Sequence, residues 1–119
     1  MAEAEWRRSQ LWERVRGFFE RYQLLLLPTT QTAAFPKEIE RLTVIDGEPV
    51  GDSLGSSLST YAISVTGLPA ISVPCGFTRA GLPVGLQMAG RWRDEVTVLR
   101  AAAAFEGAQP WAPRRPPEP

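Results

Sequence analysis

The residues that could do chemistry in this 119-residue chain are few: it has one cysteine (Cys75), one lysine (Lys37) and no histidine. The lack of histidine excludes Ser-His-Asp and Cys-His catalysis and an imidazole metal ligand. A single cysteine excludes an internal disulfide and a zinc site made of thiolates. A serine–lysine mechanism needs a desolvated lysine, but Lys37 lies close to Glu38 and Glu40, which favours a solvated surface side chain.

Two short segments resemble reactive sites but have simpler interpretations. Cys75 lies between Pro74 and Gly76 after an apolar segment, which favours a buried structural thiol over a nucleophile. Residues 55–57 read Gly-Ser-Ser, a turn that can present a hydroxyl beside backbone N–H donors, but within a helix they are only its polar face. The sequence has no paired carboxylates at a defined spacing and no phosphate-binding glycine loop. Composition and spacing therefore disclose no active site, and they predict no cofactor and no metal.

Charge and hydropathy limit the expected partners and location. The 13 basic and 13 acidic residues cancel, so nothing electrostatic favours nucleic acid or an anionic membrane as partner. The longest leucine run covers only residues 24–27, and the acidic N-terminus has no signal-peptide core, so we expect a cytoplasmic location. We expect one domain over residues 1–107 and a proline-rich, extended tail over residues 108–119.

The first half of the chain is expected to contain one helix and one strand. Apolar residues at three- and four-residue steps predict an amphipathic helix over residues 5–22. The run at residues 24–27, ended by Pro28, predicts a short strand that is buried on both faces and has no neighbour within the chain. Residues 29–36 are expected to form a loop of small hydroxyl residues, and residues 37–55 a surface excursion without assigned structure.

The second half is expected to begin with a helix and a β-hairpin. The helix covers residues 53–66, with Ser53 as its N-cap and Gly67 as its stop, although its β-branched residues also fit a strand. Strands at residues 70–73 and 83–89 pair across a turn at residues 78–81. Within the second strand, Gly85 indicates close approach by another backbone.

A last helix follows the hairpin. Asp94 is its N-cap, Glu95 suits the positive N-terminal end, and the helix runs to about residue 106 before Gly107 ends it. The residues predicted to face the core are Val96, Leu99 and Ala103. The element order is helix, strand, loop, helix, hairpin, helix, which predicts an α/β fold.

Two Gly-Leu-Pro blocks carry a family resemblance. Residues 67–76 read GLPAISVPCG and residues 81–90 read GLPVGLQMAG, followed by Asp94-Glu95 and the Leu-Arg-Ala-Ala of residues 99–102. Upstream, residues 25–30 read LLLPTT and residues 34–36 read Ala-Phe-Pro. In this order the blocks resemble the C-terminal end of the amidase signature family, over residues 5–119.

The resemblance implies an amide hydrolase several times longer than this chain, with a mixed β-sheet flanked by helices. The family's catalytic set is a nucleophilic serine, a second serine at a cis peptide bond, and a lysine that acts as the base. All three, with the oxyanion donors, belong to an upstream Gly/Ser-rich region that this chain lacks. Lys37 lies in the wrong segment and residues 55–57 are not that signature, so no catalytic residue is assigned here.

Two departures from the family pattern narrow the expected parent. In the glutamine-hydrolysing subunit of the tRNA-dependent amidotransferase, an acidic residue that helps to hold glutamine is found near the place of Ser57, so its absence argues against that protein. Many relatives have asparagine where this chain has Ser64. This replaces one small polar residue by another and leaves the family assignment intact. The resemblance therefore favours a stand-alone amidase of small aryl, acyl or amino-acid amides.

Two hypotheses follow. In the first, the chain is an inactive amidase fragment that folds marginally or aggregates alone, supplies sheet core, and lines part of the amide-substrate pocket with Thr29, Thr30, Ser57 and Thr60. In the second, it is a non-catalytic interaction module that complements a separately encoded N-terminal half. We expect the chain to associate either with that missing part or with further copies of itself as a homo-oligomer.

Overall fold

The computed structural model describes residues 2–51 and 57–111. Within these residues eight elements follow one another: α1 (Ala2–Arg21), β1 (Leu24–Pro28), β2 (Val44–Ile45), β3 (Glu48–Pro49), α2 (Leu58–Thr66), β4 (Ala70–Phe77), β5 (Pro83–Gly90) and α3 (Glu95–Ala108). The expected order of helix, strand, helix, hairpin and helix is confirmed. No helix in the described part is long and apolar enough to cross a membrane.

The main sheet has the strand order β1-β5-β4, and both pairings are antiparallel. The predicted hairpin is β4–β5, in which Val73 lies opposite Leu86 and the register shifts between Pro74 and Gly76. The other edge of β5 pairs with β1, with Leu26 opposite Met88. The prediction that β1 has no neighbour within the chain is therefore wrong: the hairpin satisfies only one edge of β5, and the backbone groups of the other edge need partners.

One face of this sheet carries the hydrophobic core. Val73 and Met88 pack with Ala102 of α3, and partly buried apolar residues surround them: Ile71, Leu86, Ala101 and Phe105. Helix α3 packs against β4 and β5 on this side. Leu26 of β1 is therefore left 55% exposed, so the prediction that this strand is buried on both faces is wrong.

Helix α3 turns a different stripe inward from the one predicted. Val98 and Ala102 are its buried residues, whereas Val96 and Leu99 are each 58% exposed and Ala103 is also exposed. The helix is apolar on more than one side, and residues three and four apart share a face, so the stripe that starts at Val98 packs on the hairpin and the predicted stripe points away. The prediction for Val96, Leu99 and Ala103 is wrong in this chain.

Helix termini follow the predicted signals in part. Gly67 ends α2 in the left-handed conformation with φ 70°, and the Asp94 side chain accepts from the Thr97 N–H, as expected. Gly107 does not end α3, which continues to Ala108. Helix α1 begins earlier than predicted and ends one residue before Tyr22. The predicted N-cap Ser53, Gly55 and Ser56, and most of the predicted tail, lie outside the described residues.

Candidate functional site

A polar row crosses the face of the sheet that points away from α3. Side chains alternate between the two faces of a strand, so Gln87 lies on the opposite face from Met88, and Ser72 is its partner in register on β4. Thr29, just after β1, donates its N–H to the Gly85 carbonyl at 3.0 Å and so reaches the same row. Three strands thereby contribute one polar side chain each to a sheet that is otherwise built from apolar and small residues.

Gly85 makes room for the central contact of this row. The Thr29 Oγ1 and Ser72 Oγ atoms lie 2.5 Å apart. A Cβ atom on Gly85 would lie 2.7 Å from Thr29 Oγ1 and 2.9 Å from Ser72 Oγ, so only glycine fits beneath the two hydroxyls. The close approach predicted at Gly85 is real, but it is made by side-chain hydroxyls, so the prediction of another backbone is wrong.

The Thr29 carbonyl joins this row to the start of α2. It accepts hydrogen bonds from Thr60 Oγ1 at 2.8 Å and from Ser59 Oγ at 3.1 Å. The Leu58 N–H donates to Gln31 Oε1 at 3.3 Å, whereas Ser57 stands at the N-cap position without a side-chain capping bond. The first turn of α2 is therefore held by the β1 exit through side-chain bonds.

The structure brings together two of the four residues proposed from the sequence as substrate-binding. Thr29 and Thr60 are hydrogen-bonded, and Ser57 lies at the end of the same helix. Thr30 is separate from them, because its hydroxyl donates to the Thr32 carbonyl at 2.8 Å within its own loop.

Ser72 and Gln87 of the polar row were not predicted from the sequence, whereas Ser59 lies between the predicted residues Ser57 and Thr60. The signal that could have identified Ser72 and Gln87 is their position as polar residues within otherwise apolar strands. The sequence signal for Ser59 is its position next to Thr60, with which it shares the Thr29 carbonyl as hydrogen-bond acceptor.

Gln87 is the most enclosed member of the row. It is 7% exposed, and its Oε1 atom is buried without a hydrogen-bond partner in the described part of the chain. Ser72 on one side and Leu27 on the other are its partners in register. An unpaired buried acceptor is unfavourable, and within the described residues the surroundings of this carboxamide oxygen do not satisfy it.

The chemistry open to this arrangement is hydrogen bonding. Hydroxyl and carboxamide groups donate and accept, but ionising a serine or threonine hydroxyl for attack requires an adjacent base. Lys37 is exposed in the segment after β1, and Cys75 is half-buried, with its carbonyl accepting from Gln109 Nε2 at 3.0 Å. Neither residue forms part of the row.

Two open cavities flank an aromatic pair elsewhere in the molecule. The rings of Trp12 and Trp92 meet edge to face with their centroids 5.7 Å apart. Both rings line a cavity of about 390 Å³ and a second one of about 320 Å³. Their walls come mainly from α1, and Thr29, Ser72 and Gln87 line neither.

Comparison with known proteins gives a consistent result. The amidase family model matches residues 1–99. An acylamidase of Rhodococcus erythropolis is 39% identical over 109 residues, which are 92% of this chain and 23% of the relative. The A component of the glutamyl-tRNA(Gln) amidotransferase of Moorella thermoacetica is 50% identical over 101 residues, which are 82% of this chain and 19% of that protein. Identity alone therefore does not favour the stand-alone amidase over the amidotransferase.

Solved structures agree with the sequence comparison. A bacterial aryl acylamidase of the amidase signature family superimposes with a TM-score of 0.78 at 33% identity, covering 92% of this chain and 24% of that one. The A component of the glutamyl-tRNA(Gln) amidotransferase from Thermotoga maritima superimposes with a TM-score of 0.72 at 33% identity, covering 87% of this chain and 21% of that one. The expected fold is confirmed, and the chain spans only 19–24% of the length of these four relatives.

Proposed function

We propose that this chain, which belongs to the amidase family, is the C-terminal segment of an enzyme that hydrolyses carboxylic amides, and that it is inactive alone. The observation that carries the proposal is the combination of family membership with coverage of only 23% of the acylamidase relative. An amidase fragment without the Gly/Ser-rich signature region has the family's fold but lacks the groups that attack the amide.

The chemical step is assigned to the part of the enzyme that precedes this segment. By the family resemblance, a nucleophilic serine of that part attacks the amide carbonyl, and the catalytic set is completed by a second serine at a cis peptide bond and a lysine that acts as base. The hydroxyls described in this chain support that division, because Thr29, Ser59, Thr60 and Ser72 hydrogen-bond to one another or to a backbone carbonyl. Such hydroxyls are positioned but not activated.

The segment itself supplies sheet core and one wall of the amide-substrate pocket. Thr29, Thr30, Ser57 and Thr60 are the proposed pocket residues. Support is strongest for Thr29 and Thr60, because their bond fixes the β1 exit against the α2 N-terminus. Support for Thr30 is weakest, since its hydroxyl donates to the Thr32 carbonyl within the loop.

The alternative is a non-catalytic module that complements an N-terminal half made as a separate chain. The apolar surface on this chain agrees with it, since Leu26, Val96 and Leu99 are each more than half exposed. Both hypotheses require the same surfaces to be covered by amidase sequence. They differ only in whether the two parts share one polypeptide.

Reconstitution tests the proposal. The Rhodococcus erythropolis acylamidase, cut before the segment that this chain matches, is mixed with the 119-residue chain and assayed for release of amine from an acylamide. We expect hydrolysis by the mixture and none by either part. A Lys37→Ala variant is the matched control and restores activity as well as the unaltered chain does. Amide hydrolysis by the chain alone, lost in Lys37→Ala, contradicts the proposal.

A further inference from the structure

We infer that Gln87 is a docking contact through which this segment binds the preceding part of the amidase, by accepting a hydrogen bond from a backbone N–H of that part. The inference rests on the proposed function. It starts from the carboxamide on the central strand, which is 7% exposed and has a buried, unpartnered Oε1 atom within the described residues.

The unpaired atom indicates a missing donor. Burying an amide oxygen without a partner loses its hydrogen bonds to water and gains none in return. The neighbours of Gln87 in register do not repair this: Leu27 is apolar, and the Ser72 hydroxyl bonds to Thr29 and makes no hydrogen bond to Gln87 Oε1. Because the terminal torsion of glutamine is soft, the carboxamide can turn its oxygen towards a donor that packs beside it.

The hydroxyl pair next to Gln87 defines the chemistry of the occupant. Thr29 and Ser72 carry two hydroxyl protons, and their mutual bond uses one, so the pair keeps one donor. Ser72 lies directly opposite Gln87 and is exposed. The row therefore places the Gln87 oxygen, an acceptor, beside a hydroxyl donor, which complements the N–H and C=O groups of a peptide backbone.

A protein segment fits this row better than a small molecule does. An extended segment that packs across the sheet lies along the row and contacts the exposed Ser72, and the soft terminal torsion of Gln87 lets its oxygen turn towards that segment. The length of the relatives supplies the occupant, because this chain spans only 23% of the acylamidase and 24% of the aryl acylamidase.

The test compares Gln87→Met with Gln10→Met, a matched change on the exposed surface of α1. Methionine keeps the length of the side chain and removes its hydrogen bonds. We expect Gln87→Met to weaken binding to the truncated acylamidase by about tenfold, and Gln10→Met to leave it unchanged. Unchanged binding by Gln87→Met overturns the assignment. If KM of the reconstituted enzyme rises while binding is unchanged, Gln87 is instead a substrate contact.

Urea unfolding of the isolated chain, in buffer with trimethylamine N-oxide to strengthen burial in a marginally stable fold, provides an independent measurement. Removing a buried amide that has no partner is expected to leave the unfolding midpoint of Gln87→Met equal to or above that of the unaltered chain. A lower midpoint shows that Gln87 is satisfied within the chain and overturns the inference. If the unaltered chain neither binds nor restores hydrolysis, the proposed function fails, while the midpoint still decides whether Gln87 lacks a donor.

Discussion

Thr29 and Ser72 are separated by 43 residues in sequence, yet their hydroxyl oxygens lie 2.5 Å apart. This contact ties the exit of β1 to β4 across the central strand. The carbonyl of the same threonine accepts from Ser59 and Thr60, so a single residue links both outer strands to the start of α2. The proposed pocket wall depends on this junction.

Gly85→Ala is expected to destabilise the chain by about 1–3 kcal/mol, because the new methyl group overpacks the hydroxyl pair. A Cβ atom there lies 2.7 Å from Thr29 Oγ1. Urea unfolding in buffer with trimethylamine N-oxide, which strengthens burial in a marginally stable chain, measures the change. Gly107→Ala, in open space on α3, is the control and is expected to be neutral or stabilising. If Gly85→Ala and the unaltered chain are equally stable, the Thr29 and Ser72 hydroxyls do not crowd a side chain at position 85.

Gly67→Ala is expected to cost about 1–2 kcal/mol for a backbone reason, since an L-residue is strained in the left-handed conformation that ends α2. The φ angle is 70°, and a Cβ atom would meet Trp92 at 3.7 Å, an ordinary contact. Gly67→Asn should lose less stability, because asparagine tolerates this conformation. The same unfolding measurement compares the two variants, and an equal loss in both points to packing instead of backbone strain.

Thr60→Val tests the pocket wall in the reconstituted enzyme. The change removes the 2.8 Å bond to the Thr29 carbonyl while it keeps the shape of the side chain. We expect KM for the acylamide to rise by about tenfold, as for the loss of one hydrogen bond of about 1.4 kcal/mol, with a smaller change in kcat. Ser64→Ala, which removes a bond within the same helix, is the control. An unchanged KM in Thr60→Val removes Thr60 from the proposed pocket.

Leu99→Glu addresses the apolar stripe on the outside of α3. Leu99 is 58% exposed, so a charge there leaves the described core of Val73, Met88 and Ala102 intact. We expect circular dichroism to show the same fold, and light scattering to show less self-association of the isolated chain. If the variant loses its helical signal, Leu99 belongs to the core, as its place in the sequence pattern predicts.

The sequence predicted those elements whose signals are local. The hairpin, the Gly67 stop and the Asp94 cap depend on residues within a few positions of one another, and all three are present. The Asp46-Gly47 turn between β2 and β3 carried such a signal as well. Both residues have positive φ, as a tight hairpin turn requires, and residues 37–55 could have been assigned a short hairpin from this dipeptide.

The long-range pairings were not predictable in the same way. Nothing near Leu24 in sequence indicates that Gly90 is its partner, because most of the chain's other elements separate them. In α3, apolar residues cover more than one side, so periodicity could not decide between the stripes that start at Val96 and Val98. The sequence predicted the hydroxyl-rich segments that meet at Thr29 but not their contact. The bonds from Ser59 and Thr60 to Thr29 span 30 and 31 residues, so no local pattern indicates them.

Whether this segment completes an amidase is tested most directly by the amide-hydrolysis rate of the truncated acylamidase with and without the 119-residue chain. We expect no turnover by either part and turnover by the mixture, rising to saturation with chain concentration. No hydrolysis from a mixture in which the two parts bind, or hydrolysis by the chain alone, contradicts this expectation.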